Sequence, residues 1–285
     1  MIHMGCDGER MEAIRVSIDA IPQDDQLTCF GQFTPSPAAL RRLREEIRRM
    51  LDDRHQVSLI MVHLASQSGV AFCSTVPMCT QSTVKAIYVG AMLTHFPQAL
   101  AEYEQDIRDT IELSSNEAYE RLRDIYGPDP IRAWCRETGV DEGFADLPYP
   151  RAYTARDMLK LWTRLYCFLN SGSDVAKTVG RFFEHSAESA SGERLGNRCP
   201  VHTKAGWENG VGDDEQDYGH AVIPARYVDG DPLNDECATN DTGIVYSDAG
   251  PYLFVIYSDY PWPWAGQNQL YGLAEALYEI GGSLS

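Results

Sequence analysis

The chain has 285 residues, 44% of them hydrophobic and 23% charged, which fits one large or two modest folded domains and excludes wholesale disorder. Its 42 acids against 24 Lys and Arg give a formal charge of −18 and a pI near 4.7, disfavouring nucleic acid and anionic membranes as partners. No apolar run approaches the roughly 20 residues of a membrane span, and the first residues lack the basic head and apolar core of a signal peptide.

Residues 1–35 show little periodicity and read as an irregular or extended lead-in. Pro35-Ser36-Pro37 opens a helix, since proline suits its first turn. Leu40, Leu43, Ile47, Met50 and Leu51 form its apolar stripe, with arginines on the other faces. Residues 57–65 are apolar and β-branched, Ser66–Gly69 supplies a turn, and 70–74 completes a hairpin. Helix then follows helix from about 82 to 186, broken at Phe96-Pro97, Gly127-Pro128 and Leu147–Pro150. Strand signals return at 200–207, 220–228, 242–248 and 251–258, with Asp248–Pro251 as a tight turn. A last helix, about 266–280, places Leu270, Leu273, Leu277 and Ile280 on one face. Strands that close over a long helical insertion predict an α+β fold, an antiparallel sheet flanked by helices with a helical subdomain.

Eight cysteines, at 6, 29, 73, 79, 135, 167, 199 and 237, are scattered and include no C-x-x-C. Free core thiols and a disulfide framework both remain open; Cys73 with Cys79 and Cys199 with Cys237 are the pairs to look for. Charge is uneven as well. Residues 208–241 hold ten acids against one base, Arg226.

Three segments carry the candidate chemistry. In Gln81-Ser82-Thr83-Val84-Lys85, the serine and lysine are three apart and share a helix face within about 6 Å. Lys85 is the one base in an otherwise apolar helix, and a lone buried charge is costly unless it is paired or functional. A partly buried lysine of lowered pKa can take a serine's proton. In Leu113-Ser114-Ser115-Asn116, either serine can cap the helix that runs to Tyr126. Val201-His202-Thr203-Lys204-Ala205-Gly206-Trp207 reads as a strand, where an outward lysine beside a bulge glycine is the plain alternative to a functional one.

The order S-x-x-K, S-x-N, K-x-G resembles the penicillin-interacting serine enzymes, class A β-lactamases and D-alanyl-D-alanine peptidases, over residues 37–282. The resemblance makes 36–285 a single domain of that fold. It implies Ser82 as acyl-accepting nucleophile, Lys85 as its base and Ser114 as proton relay to the leaving nitrogen. It further implies that Asn116 and Lys204 bind substrate, and that the Ser82 and Trp207 N–H groups, beside Gly206, form an oxyanion hole. No cofactor and no metal are implied, and the substrate is a small molecule or a peptidoglycan peptide, handled by a monomer. These enzymes act on cell-wall or antibiotic substrates outside the cytoplasm.

Three departures qualify the resemblance. Ala205 stands where a hydroxyl usually helps bind the carboxylate, and Thr203 falls on the opposite face of a strand. The 32 residues from Ser82 to Ser114 are fewer than in class A. The loop glutamate that activates deacylating water within E-x-x-x-N is missing, since 127–155 contains no asparagine. Glu137, Asp141, Glu142 and Asp146 are the acids there, with Asp141 and Glu142 nearest the expected place. An enzyme without that base acylates and stalls. The alternative is a non-catalytic binding or interaction protein on the same scaffold. The acidic 208–241 segment, next to Lys204, predicts that salt speeds the uptake of anionic substrates.

Overall fold

The computed structural model describes residues 8–52, 55–150, 152–209, 237–260 and 266–283. Six strands form one antiparallel sheet in the order β1-β3-β2-β6-β5-β4. They are β1 (Thr28–Phe30), β2 (Val57–His63), β3 (Ser68–Phe72), β4 (Val201–Asn209), β5 (Cys237–Ser247) and β6 (Gly250–Ser258). The helices are α1 (Gly8–Asp19), α2 (Pro37–Asp52), α3 (Val84–His95), α4 (Ala99–Glu112), α5 (Asn116–Tyr126), α6 (Asp129–Thr138), α7 (Ala155–Leu169), α8 (Asp174–Phe183), α9 (Ala190–Leu195) and α10 (Gly266–Gly282). The predicted α+β arrangement holds, with the helical block inserted between β3 and β4.

Alternation along the strands builds two cores. Leu59 and Met61 face α2, α9 and α10 with Phe254 and Ile256. Ile60 and Val62 face α1, α3 and α7 with Leu253 and Val255. Because both faces are covered, β2 is buried at all seven positions and reads as a continuous apolar run.

The expectation of an irregular lead-in is corrected. α1 buries Met11, Ile14 and Ile18 against the helical layer, and β1 pairs with β3 as the edge strand. Its C-terminus is fastened from afar: the buried Arg156 donates to the carbonyls of Ile21 at 2.7 Å and Pro22 at 2.8 Å and pairs with Asp24 at 3.2 Å. The expected cysteine pairs are also corrected, since Cys73, Cys79 and Cys199 are free thiols, while Cys167 is in a disulfide. The strand expected at 220–228, and most of the acidic 208–241 segment, lie outside the described residues. Among those described, no helix is long and apolar enough to cross a membrane.

Candidate active site

Ser82 sits in a 3-10 turn, Gln81–Thr83, that runs directly into α3. The turn is held from outside: the Thr80 N–H and hydroxyl both donate to the Pro150 carbonyl, at 3.1 and 2.8 Å. Gln81 adopts φ 47°, a left-handed conformation that costs a non-glycine residue about 1–3 kcal/mol. Gly206 of β4 lies against this turn so closely that a Cβ on it would stand 2.8 Å from the Ser82 nitrogen. Glycine is what lets the edge strand approach the Ser82 backbone.

Lys85, one turn on, is wholly buried. Its Nζ donates to the Ser114 carbonyl at 2.5 Å and to Asn116 Oδ1 at 2.6 Å, with the Ser114 hydroxyl at 3.4 Å. Burial pulls its pKa from the ordinary lysine value down to about 7, with Glu120 opposing. A neutral amine has two N–H groups and a lone pair. The two short bonds use both N–H groups and leave the lone pair free to accept a proton.

Ser114 and Asn116 are brought in by the α4–α5 junction. Ser115, not Ser114, caps α5, accepting from the Ala118 N–H at 3.2 Å. Ser114 is thereby spared capping and sits at φ 58° with its hydroxyl turned to the lysines. From the other side Lys204, fully buried, donates to the Ser114 hydroxyl at 2.8 Å and to the Ala205 carbonyl at 2.8 Å. An outward lysine on β4 is excluded. Burial, reinforced by Lys85 and opposed by Asp241, holds Lys204 well below the ordinary lysine range. Its Nζ lies 5.7 Å from the centre of the Trp207 ring. The structure therefore gathers Lys85, Ser114, Asn116 and Lys204 into one hydrogen-bonded group, with the Ser82 turn and Gly206 beside it. The Ser82 hydroxyl makes no hydrogen bond to the Lys85 amine.

Three residues at this site escape sequence reasoning. Tyr149 donates from its hydroxyl to Asn116 Oδ1 at 2.8 Å, and its ring lies 5.6 Å from Lys85 Nζ. Tyr119 of α5 packs on Tyr149, with its ring 5.7 Å from the same Nζ. Asp241 of β5 accepts from Ser189 Oγ at 2.9 Å and the Ser191 N–H at 2.8 Å, and burial lifts its pKa to about 6. The Pro148-Tyr149-Pro150 stretch is the one local signal, a stiff tripeptide between helices.

The acids considered as substitute bases are engaged elsewhere on the surface. Asp141 caps a short 3-10 turn by accepting from the Gly143 N–H at 2.8 Å, Glu142 pairs with Arg136 at 2.7 Å and Asp146 with Arg132 at 2.8 Å. Glu137 pairs with Arg164 at 2.6 Å. None reaches Lys85 or Ser114. Thr203, as its register requires, lies on the far side of β4, where its Oγ1 would be 3.4 Å from a Cβ on Gly192 of α9.

Residues 101–280 match the model of the Beta-lactamase2 family, described as a beta-lactamase enzyme family. The match includes Ser114, Asn116, Lys204 and Gly206 and begins after Ser82 and Lys85. A search of curated proteins returns no match. A class A beta-lactamase from Mycobacterium abscessus superposes with a TM-score of 0.62 at 13% identity, covering 85% of this chain and 99% of its own. A beta-lactamase from Desulfarculus baarsii gives 0.55 at 17% identity, covering 84% and 96%. One from Sphaerobacter thermophilus gives 0.57 at 14%, covering 85% and 97%. At these identities the likeness is one of fold.

Proposed function

The chain belongs to the beta-lactamase enzyme family, and from that premise we propose that it is a serine hydrolase that takes β-lactam or D-Ala-D-Ala-type amides onto Ser82 as an acyl-enzyme. The observation that carries this reading is the Ser114 hydroxyl, which accepts from Lys204 at 2.8 Å and lies 3.4 Å from a lysine whose burial leaves it able to hold a free lone pair.

In the proposed sequence the Lys85 amine takes the Ser82 hydroxyl proton as Oγ bonds to the substrate carbonyl carbon. The carbonyl oxygen takes up the negative charge and is stabilised by the Ser82 and Trp207 N–H groups. When the C–N bond breaks, the Ser114 hydroxyl gives its proton to the leaving nitrogen and recovers one from Lys85. Lys204 draws the substrate carboxylate into place. Lys85 and Tyr149 both donate to Asn116 Oδ1, so its amide nitrogen is the end offered to a substrate carbonyl.

Among the described residues, Glu137, Asp141, Glu142 and Asp146 are all engaged away from Lys85 and Ser114, which supports a long-lived acyl-enzyme and an activity of the peptidase type. Family membership and the disulfide at Cys167 favour an extracytoplasmic setting. Incubation with a fluorescent penicillin, read by intact mass, tests the reading. One adduct per chain, absent from Ser82→Ala, is expected. Unmodified protein at saturating ligand would overturn it in favour of a non-catalytic binding protein.

A further inference from the structure

Lys85 is enclosed by two aromatic rings as well as by its hydrogen-bond acceptors. Tyr119 and Tyr149 lie 5.6 Å apart, tilted 55° to one another, and the Lys85 Nζ stands 5.7 and 5.6 Å from their ring centres. Both distances fall inside the roughly 6 Å range over which a ring face attracts a cation, and the attraction is strongest where water is excluded. The two rings are built into the fold by separate anchors. The buried Tyr119 donates to the Pro148 carbonyl at 2.9 Å, which fixes the backbone one residue ahead of Tyr149. Tyr149 in turn donates to Asn116 Oδ1 at 2.8 Å.

We propose that Tyr119 and Tyr149 form an aromatic cage for the Lys85 ammonium, and that Tyr149 is a positioning residue which sets the pH at which Lys85 gives up its proton. The catalytic consequence rests on the acyl-transfer reading above; the cage itself does not. The cage stabilises the charged form only, because a neutral amine gains little from a ring quadrupole. It works against the other forces on Lys85. Burial disfavours the charged form, while Glu120 of α5 favours it; Lys204 of β4 faces the same group, and its own charged form is disfavoured by burial and by Lys85. Ser114 and Asn116 are uncharged acceptors. The two phenols stay neutral, since burial pushes Tyr119 up to about 12 and raises Tyr149 as well. Without the rings, Lys85 would lose its proton at lower pH and be less able to hold the proton that passes to Ser114.

Two substitutions separate the ring from its hydroxyl. Tyr149→Phe keeps the ring and removes the bond to Asn116; Tyr149→Leu removes both but still excludes water. The Lys85 Cε resonance, assigned with Lys85→Arg, is titrated by NMR in labelled full-length protein. The midpoint in Tyr149→Leu is expected about half to one pH unit below that in Tyr149→Phe, with Tyr149→Phe no lower than the unsubstituted protein. The low-pH limb of penicillin acylation shifts with it. Equal midpoints in the two variants, or a higher one in Tyr149→Leu, would overturn the cage. A midpoint that moves in a protein that never acylates would keep the cage and overturn the catalytic reading.

Discussion

Lys204 donates to the Ser114 hydroxyl across 2.8 Å from a side chain with no solvent exposure. The Ser114 hydroxyl oxygen thus accepts from Lys204 and, over a longer 3.4 Å, from Lys85, which sets it between the two amines. On the proposed acyl-transfer reading, Ser114→Ala removes the proton relay; it also leaves a buried donor on Lys204 without this acceptor. Acylation by a fluorescent penicillin, followed by stopped flow, is expected to slow by about 10²–10⁴, the usual worth of positioned proton transfer. An unchanged far-ultraviolet circular dichroism spectrum would show that the fold is kept. A loss of less than threefold would remove Ser114 from the reaction.

Gly206 is expected to be as sensitive as the polar residues. A Cβ there would stand 2.8 Å from the Ser82 nitrogen and 2.9 Å from that of Thr83, both backbone atoms that cannot swing aside. In Gly206→Ala the edge strand must therefore back away from the turn that carries Ser82. On the proposed acyl-transfer reading, a displacement of that kind misaligns the oxyanion donors, and loss of one such donor costs about 10²–10³ in rate. Acylation falls accordingly while thermal unfolding shifts little, because among the described residues β4 is the last strand of the sheet. Wild-type acylation in this variant would contradict the role given to the strand.

What was legible in advance follows from the range of each interaction. Ser82 with Lys85, Ser114 with Asn116 and Lys204 with Gly206 are local pairs, so their spacing survives in the sequence. The α2 stripe and the β2 run were readable because periodicity is also local. α1 was not, since the exposed Val16 blurs the stripe of Met11, Ile14 and Ile18, and the helix end is fastened by Arg156 rather than by a neighbouring cap. Tyr149 was unreadable for the same reason: its meaning comes from Asn116 and Lys85, 33 residues and more away.

Release of the acyl group provides a kinetic prediction. Asp141, Glu142 and Asp146 are committed to Gly143, Arg136 and Arg132, and moving any of them to the serine would break a surface contact and reshape the loop. A chromogenic cephalosporin is therefore expected to give a burst of one equivalent followed by slow turnover. Sustained turnover without a burst would mean that another group activates water.

Arg156 is a stability determinant remote from the chemistry. Its guanidinium donates to Ser74 Oγ at 2.7 Å, to two backbone carbonyls at the end of α1 and to Asp24, a carboxylate that also accepts from the Ser74 N–H at 3.0 Å. Arg156→Met preserves bulk but strands the buried carboxylate and the carbonyls. Breaking a buried pair from one side costs about 3–5 kcal/mol, and urea denaturation should record a loss of that size. The Asp24→Asn, Arg156→Met double variant should be less unstable than the sum of the two changes, because no uncompensated charge remains.

His202 makes stability depend on pH. It lies between Phe183 and Tyr246, with Nδ1 3.1 Å from the Tyr246 hydroxyl, and burial lowers its pKa from 6.5 to about 4. Below pH 6.5 the unfolded chain binds a proton that the folded chain refuses until about pH 4, so stability falls as pH falls through that window. Asp241 acts in the opposite sense. Its folded pKa of about 6 exceeds the unfolded 3.8, so acid favours the fold at that position. The two effects separate by comparing the unsubstituted protein with His202→Gln, in which Asp241 is unchanged. Between pH 7 and pH 4.5 the unsubstituted protein should lose about 2 kcal/mol more than the variant, an order-of-magnitude figure. Parallel losses in urea unfolding would mean that His202 takes up its proton within the folded state.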